Sequence, residues 1–145
     1  MEAMFLTYEE LIKKAIDAKQ NAYAPYSKFS VGAALLTKEG KVYTGCNIEC
    51  ASYSGTNCAE ITALFKAISE GERDIEAIAV ISDLDTYIYP CGICRQVIME
   101  FGSKIKIIVA RSECDFKIYT IGDLLPYAFS PESLKKVDGR HNYGI

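Results

Sequence analysis

The stretch "TNCAEITALFKA", Thr56 to Ala67, sets a cysteine and a glutamate, Cys58 and Glu60, two residues apart where a helix-patterned run begins. Further along, "YPCGICRQV" supplies Pro90, Cys91, Cys94 and Arg95 in the same kind of setting. A thiol at a helix N-terminus meets unpaired N–H groups and the positive end of the helix dipole, which lower its pKa and favour thiolate. Cys91 and Cys94, three apart, lie on one face of such a helix and can share a metal. Three thiolates would leave the fourth position of a tetrahedral zinc open, the arrangement of a catalytic site, and Glu60 would then be the proton carrier for the water there. Other readings of the C-x-x-C exist: a thioredoxin-like redox pair, or half of a structural zinc ribbon. A redox pair needs no glutamate. A ribbon needs a fourth ligand, for which Cys46, Cys50 and Cys114 are the candidates, although all three are more simply small core or surface residues.

Elements that could position these groups can be read from periodicity and punctuation. Thr7 and Glu10 form a capping box, and Leu11, Ile12, Ala15 and Ile16 follow on one helical face, which predicts a helix from about Tyr8 to Lys19. "NAYAPYSKFS" reads as a loop, and "FSVGAALLT" and "KVYTGCNIE" as strands of a hairpin turning at "KEG". Asn57 is a candidate cap for a helix bearing Ala59, Ala63, Leu64, Ala67 and Ile68 and stopping at Gly71. "IEAIAVIS" and "KIKIIVA" are buried strands, and a helix from about Gly92 to Phe101, stopped by Gly102, lies between them. "FKIYTI" is a weaker strand, and "IGDLLPYAF" a helical turn ending at Pro126. The order α-β-β-α-β-α-β-β implies an α/β fold, a mixed sheet with helices on its faces.

The chain of 145 residues is close to the commonest size of one domain, so residues 1–145 are expected to form a single unit. Half of the residues are apolar and a quarter charged, which points to neither disorder nor a fibrous repeat. "MEAMFLTYEE" has acids where a secretory signal has Lys or Arg, and the apolar runs are too short to span a bilayer. A cytoplasmic protein that does not bind membrane is therefore expected, with its six cysteines as thiols rather than disulfides. A net charge of −3, with bases and acids interspersed, offers no stripe for long nucleic acid. The one histidine, His141, lies in a polar tail, so a tightly held transition metal must rely on thiolates, which select zinc or an iron–sulfur cluster.

Asn47 and Glu49, read as alternate residues of one strand, would point to the same side and could bond a sugar diol; a polar strand end facing water is the plainer alternative. Here the sequence resembles the zinc nucleobase deaminases, whose signature has the form [HC]-x-E…P-C-x-x-C. "AYAPYSKFSVGAAL", "GCNIECASY", "NCAE", "PCGICRQV" and "LLPYAFSPESL" are similar, in order, to the short cytidine deaminase branch over nearly the whole chain. The resemblance implies a three-layer α/β/α sandwich on a mixed five-stranded sheet. It implies one zinc per subunit on Cys58, Cys91 and Cys94, with Glu60 moving protons from the attacking water to N3 of a pyrimidine nucleoside and then to the departing amine. Cytidine and deoxycytidine would become uridine and deoxyuridine, a step of pyrimidine salvage. Asn47 and Glu49 would hold the ribose, with Phe29, Ala51, Tyr53, Ala59 and Phe129 around the substrate. Tyr53 and Phe129 match positions that reach into a neighbouring subunit's site in the family's tetramers, so a homotetramer is implied.

One position departs from that pattern. Ile61 directly follows C-A-E, where cytidine deaminases usually carry Arg. A hydrophobic residue there resembles instead the blasticidin S-type deaminases, which act on a cytosine nucleoside antibiotic, whereas Asn47, Glu49 and Phe129 favour cytidine. A non-catalytic, zinc-stabilised binding subunit is the third reading, against which Glu60 stands.

Overall fold

A computed structural model describes residues 6–135 of the chain. His141 and the end of the polar tail lie outside the described residues. Helix α1, Tyr8–Lys19, opens with the expected capping box, in which Thr7 Oγ1 accepts from Glu10 N–H at 3.1 Å and Glu10 Oε1 accepts from Thr7 N–H at 2.9 Å. Strands β1, Val31–Thr37, and β2, Val42–Cys46, form the predicted hairpin. Helix α2, Ala59–Ser69, strand β3, Ile75–Ser82, and helix α3, Gly92–Met99, follow. Strands β4, Lys106–Ser112, and β5, Asp115–Thr120, lead into a short helix α4, Ile121–Leu124. Helix α3 is two residues shorter than expected, because Gly102 at φ 144° already turns the chain away.

The five strands form one sheet in the order β2-β1-β3-β4-β5, parallel only between β3 and β4. Burial explains the apolar runs: every residue of β1 and nearly every residue of β3 is buried, since both faces of the sheet are covered. Leu11, Ile12 and Ala15 of α1 pack on Ala34, Leu36 and Ala79 on one face. Ala63 and Leu64 of α2 and Ile98 of α3 pack with Ala33, Leu35, Ile78 and Val80 on the other. The result is the expected three-layer α/β/α arrangement. Two glycines permit the close approach of its layers. A Cβ at Gly32 would lie 2.0 Å from the carbonyl oxygen of Ala15, and one at Gly45 would lie 2.5 Å from Ala63 N, so α1 and α2 sit directly on β1 and β2. Among the described residues no helix is long and apolar enough to cross a membrane.

Two sequence expectations are corrected. Strand β2 ends at Cys46, so Asn47 and Glu49 are not alternate residues of a strand. The ladder stops because the buried Asn47 side chain takes over backbone groups of the segment that leads into β1: Oδ1 accepts from Val31 N–H at 2.9 Å and Nδ2 donates to the Phe29 carbonyl at 2.7 Å. Asn57 does not cap α2. Its backbone pairs with Ile48, N–H to carbonyl at 2.9 and 3.0 Å, and the helix begins one residue later with Cys58 as N-cap.

Candidate metal and proton-transfer site

Cys58 is the N-cap of α2 and Cys91 the N-cap of α3, each in extended backbone conformation, and neither sulfur bonds the helix N–H groups it caps. A serine or aspartate would turn its oxygen inward to those groups. The thiols instead face a common point, with the sulfurs of Cys58, Cys91 and Cys94 all within 4.8 Å of one another and 3.6 Å between Cys91 and Cys94. Zinc–sulfur bonds of about 2.3 Å at tetrahedral angles require sulfurs about 3.8 Å apart, so this cluster fits such an ion with little adjustment. Cys94 is fully buried, Cys58 half-buried and Cys91 exposed. Cys46, Cys50 and Cys114 are free thiols outside the cluster.

The cluster surrenders its first proton easily. Cys58 is lowered to about 6, chiefly because its sulfur accepts from the Cys94 thiol and also from Cys91, while burial opposes the shift. Cys94, which supplies that bond and is buried as well, is pushed upward, since a second negative sulfur beside the first is unfavourable. A cation placed among the three removes that penalty. Glu60, in the first turn of α2, is 5 % exposed, and its carboxyl is raised to about 7, chiefly by burial, with Cys58 adding to the shift and the residue's own N–H opposing it. A carboxyl poised near neutrality can both take and give a proton at working pH.

Ile61 is buried and offers no donor to the sulfurs. Arg95, the nearest base in sequence to Cys94, is engaged elsewhere: Nε donates to the Pro90 carbonyl and Nη1 to that of Leu124, both at 2.7 Å. Neither side chain donates to the thiols, and the positive ends of α2 and α3, where Cys58 and Cys91 sit, are the compensation left on these elements.

The remaining residues singled out in the sequence fall into distinct surroundings. Ala59 is buried in the first turn of α2. Phe29 is half-buried against the core, and its carbonyl holds Asn47. Glu49 accepts from Tyr26 N–H and Ser27 N–H, both at 3.0 Å, and from the Ser27 hydroxyl; these bonds, that of the hydroxyl foremost, hold its carboxyl below the usual range. Glu49 and Tyr53 share a cleft of about 350 Å³ with Tyr26, Ser27, Cys50 and Thr56. Ala51 is exposed beside it, and Tyr53, 75 % exposed, stacks at a tilt on Tyr26 with ring centres 6.1 Å apart. Phe129 is 60 % exposed, and its carbonyl accepts from Gln96 Nε2 at 2.8 Å. Tyr26 and Ser27 were not singled out from sequence, although they lie within "AYAPYSKFSVGAAL"; only the fold shows that they hold Glu49. Ile48 connects this cleft to the thiols: the 47–49 segment pairs with Tyr23 on one side and, through Ile48, with Asn57, the neighbour of Cys58, on the other.

Comparison with known proteins places the arrangement. A family model described as the cytidine and deoxycytidylate deaminase zinc-binding region matches residues 6–110. The chain is 53 % identical over 125 residues to a cytidine deaminase of Halalkalibacterium halodurans, covering 86 % of this chain and 95 % of that one. It is 50 % identical over 127 residues to the cytidine deaminase of Sporosarcina psychrophila, covering 87 % and 93 %. The crystal structure of cytidine deaminase from Burkholderia pseudomallei superposes with a TM-score of 0.82 at 48 % identity, covering 86 % of this chain and all of the other. The family's zinc-binding description and the thiol cluster agree on the ion that these sulfurs suit. With most of its length matched by that family model and half or more of the aligned residues identical in such relatives, the chain belongs to the cytidine and deoxycytidylate deaminase family.

Proposed function

We propose that the protein hydrolyses cytidine and deoxycytidine to uridine and deoxyuridine with release of ammonia. The observation that carries this reading is the buried carboxyl of Glu60 beside three thiols gathered at two helix N-termini, in a chain half identical to proteins named cytidine deaminase. Cys58, Cys91 and Cys94 would hold one zinc per subunit, which when bound supplies Lewis acidity and an acidified water.

The chain's own residues do the rest. Glu60 takes one proton from the attacking water as oxygen bonds to C4, and delivers it to N3. It then takes the remaining proton of that oxygen and passes it to the exocyclic nitrogen, so that the C4–N bond breaks and ammonia leaves with a carbonyl behind it. Water and cytidine thereby balance uridine and ammonia. The Ala59 backbone contacts the base, Phe29 packs near the nucleoside, and Glu49 and Asn47 bind the ribose. Glu49 is held charged by Tyr26 and Ser27, which suits it to accept from a sugar hydroxyl. Ala51, Tyr53 and Phe129 complete the site, Tyr53 and Phe129 across subunits of a homotetramer; the exposure of both rings in the single chain supports this.

Purified zinc-loaded protein should release ammonia from cytidine and deoxycytidine and leave cytosine and adenosine unchanged. Preferential turnover of blasticidin S would establish the antibiotic-directed reading in its place, and no turnover of any of these would establish the binding subunit.

A further inference from the structure

Cys91 is the least supported member of the thiol cluster. Cys94 sits within α3, and Cys58 and Cys91 each head a helix, but Cys58 follows Asn57, which pairs with Ile48, whereas Cys91 is exposed and is reached through residues 83–90, which form no regular element. Among the described residues no backbone–backbone hydrogen bond involves residues 84–90. This stretch is held by side chains.

Arg111 of β4 reaches Asp85 and the Tyr87 ring, and the other side chains come from one face of the edge strand β5. Asp115, Lys117 and Tyr119 alternate along it and so point the same way. Asp115 Oδ1 accepts from the Tyr87 hydroxyl at 2.5 Å, and Lys117 Nζ stands 4.7 Å from the centre of the Tyr87 ring. The hydroxyls of Tyr119 and Tyr89 share a hydrogen bond of 2.7 Å, with ring centres 5.5 Å apart. Between Tyr89 and Cys91 stands only Pro90, whose ring fixes its φ and whose carbonyl is held by Arg95. A displacement of Tyr89 therefore reaches the Cys91 sulfur with little slack.

We propose that the Tyr89–Tyr119 pair is a positioning element of the metal site, fastening Cys91 to β5 so that its sulfur stays in register with Cys58 and Cys94. The proposal rests on the reading of these three cysteines as the zinc ligands. Its consequence is retention of the ion: loosening Tyr89 frees the one ligand whose approach is not fixed by backbone pairing, and the ion leaves faster. Partners that orient ligands from outside the coordination sphere commonly change metal affinity by about 10–100-fold.

The test is the rate at which zinc passes from the loaded full-length protein to a chromophoric chelator, in the parent and in Tyr89→Phe, Tyr119→Phe and the double variant. The Phe substitutions keep the stacked rings and remove only the hydroxyl bond. Each single variant should release zinc about tenfold faster, and the double variant no faster than either, because one bond is lost in every case. Tyr43→Phe, on β2, which loses a comparable 2.9 Å bond to Glu72, should release zinc at the parental rate. The cobalt(II)-loaded Tyr89→Phe protein should also show a shifted thiolate-to-metal absorption. Parental release by both single variants, or effects that multiply in the double variant, would overturn the proposal alone. A parent that binds no zinc would overturn the ligand assignment and the proposal with it. Should one Phe variant fail to fold, the other single variant makes the same test with the same outcomes, since each loses the same hydroxyl bond.

Discussion

The guanidinium of Arg95 is bound to the carbonyl oxygen of Leu124 at 2.7 Å and, through Nε, to that of Pro90 at the same distance. It is thereby engaged in joining α3 to α4 rather than in donating to the thiols. Ile61, buried where cytidine deaminases usually carry Arg, has no donor to offer them. Three thiolates around a divalent ion carry a net negative charge, which makes the ion a weaker acidifier of its water. The acid limb of turnover against pH should therefore lie higher in the parent than in Ile61→Arg, with zinc content verified in both. Superimposable limbs would show that residue 61 does not tune the site.

Glu60→Gln should retain zinc while turnover of cytidine falls about 10²–10⁴-fold, because the amide keeps the shape of the carboxyl and cannot carry protons. Metal analysis and steady-state rates on one preparation check this, and undiminished turnover would remove Glu60 from the reaction.

Cys58→Ala, Cys91→Ala and Cys94→Ala should each lose bound zinc, whereas the same change at Cys46, Cys50 or Cys114 should not, since only the first three sulfurs lie within 4.8 Å of one another. Zinc-to-protein ratios decide it. A Cys94→Ala protein as fully loaded as the parent would rule out the ligand set.

Stability of the zinc-free protein should depend on pH through Glu60. Its folded carboxyl titrates near 7 against an ordinary 4.5, so between those values the folded state binds more proton than the unfolded one, and stability falls as pH rises, by up to about 3 kcal/mol. Cys58 acts in the opposite sense, lowered from 9 to about 6, and adds stability as pH rises through that window. Urea midpoints of the chelated protein should thus decline between about pH 4.5 and 6 in the parent and stay level there in Glu60→Gln, with Cys58 opposing the decline only above that range. Parallel curves would show that Glu60 is not held protonated by the fold.

Asn47 and Glu49 should separate in their effects. Asn47→Ala leaves Val31 N–H and the Phe29 carbonyl without their partner, and should cost about 1–3 kcal/mol of stability as well as weakening substrate binding. Glu49→Gln keeps an oxygen to accept from Tyr26 and Ser27 N–H, so it should cost less stability than Asn47→Ala, and it should raise KM for cytidine at least about tenfold, the loss expected for one hydrogen bond to a charged group. A Glu49→Gln enzyme with parental KM would take the ribose role away from this residue.

The helix starts and the thiols they carry were legible in the sequence because their signals are local. Capping residues, the glycine stops at Gly71 and Gly102, the spacing of Cys91 and Cys94, and Cys58 two residues before Glu60 all depend on neighbours within a turn or two of chain. Helix starts therefore fell within a residue of expectation, and with them the placement of the thiols. What the tertiary structure alone decided are matters of non-local partnership. Strand order and the parallel pairing of β3 with β4 bring the start of α2 to the start of α3, and nothing within either segment encodes that meeting. Asn57 has the side chain of a helix cap, but Ile48, across the turn that precedes α2, claims its backbone, and the cap passes to Cys58. Asn47 has the pattern of a strand residue, yet its amide completes the backbone of Phe29 and Val31 and ends the strand. Arg95 could have reached the thiols or the carbonyls, for a long flexible side chain takes whichever partner the packed elements present, and that choice is made only once α4 lies against α3.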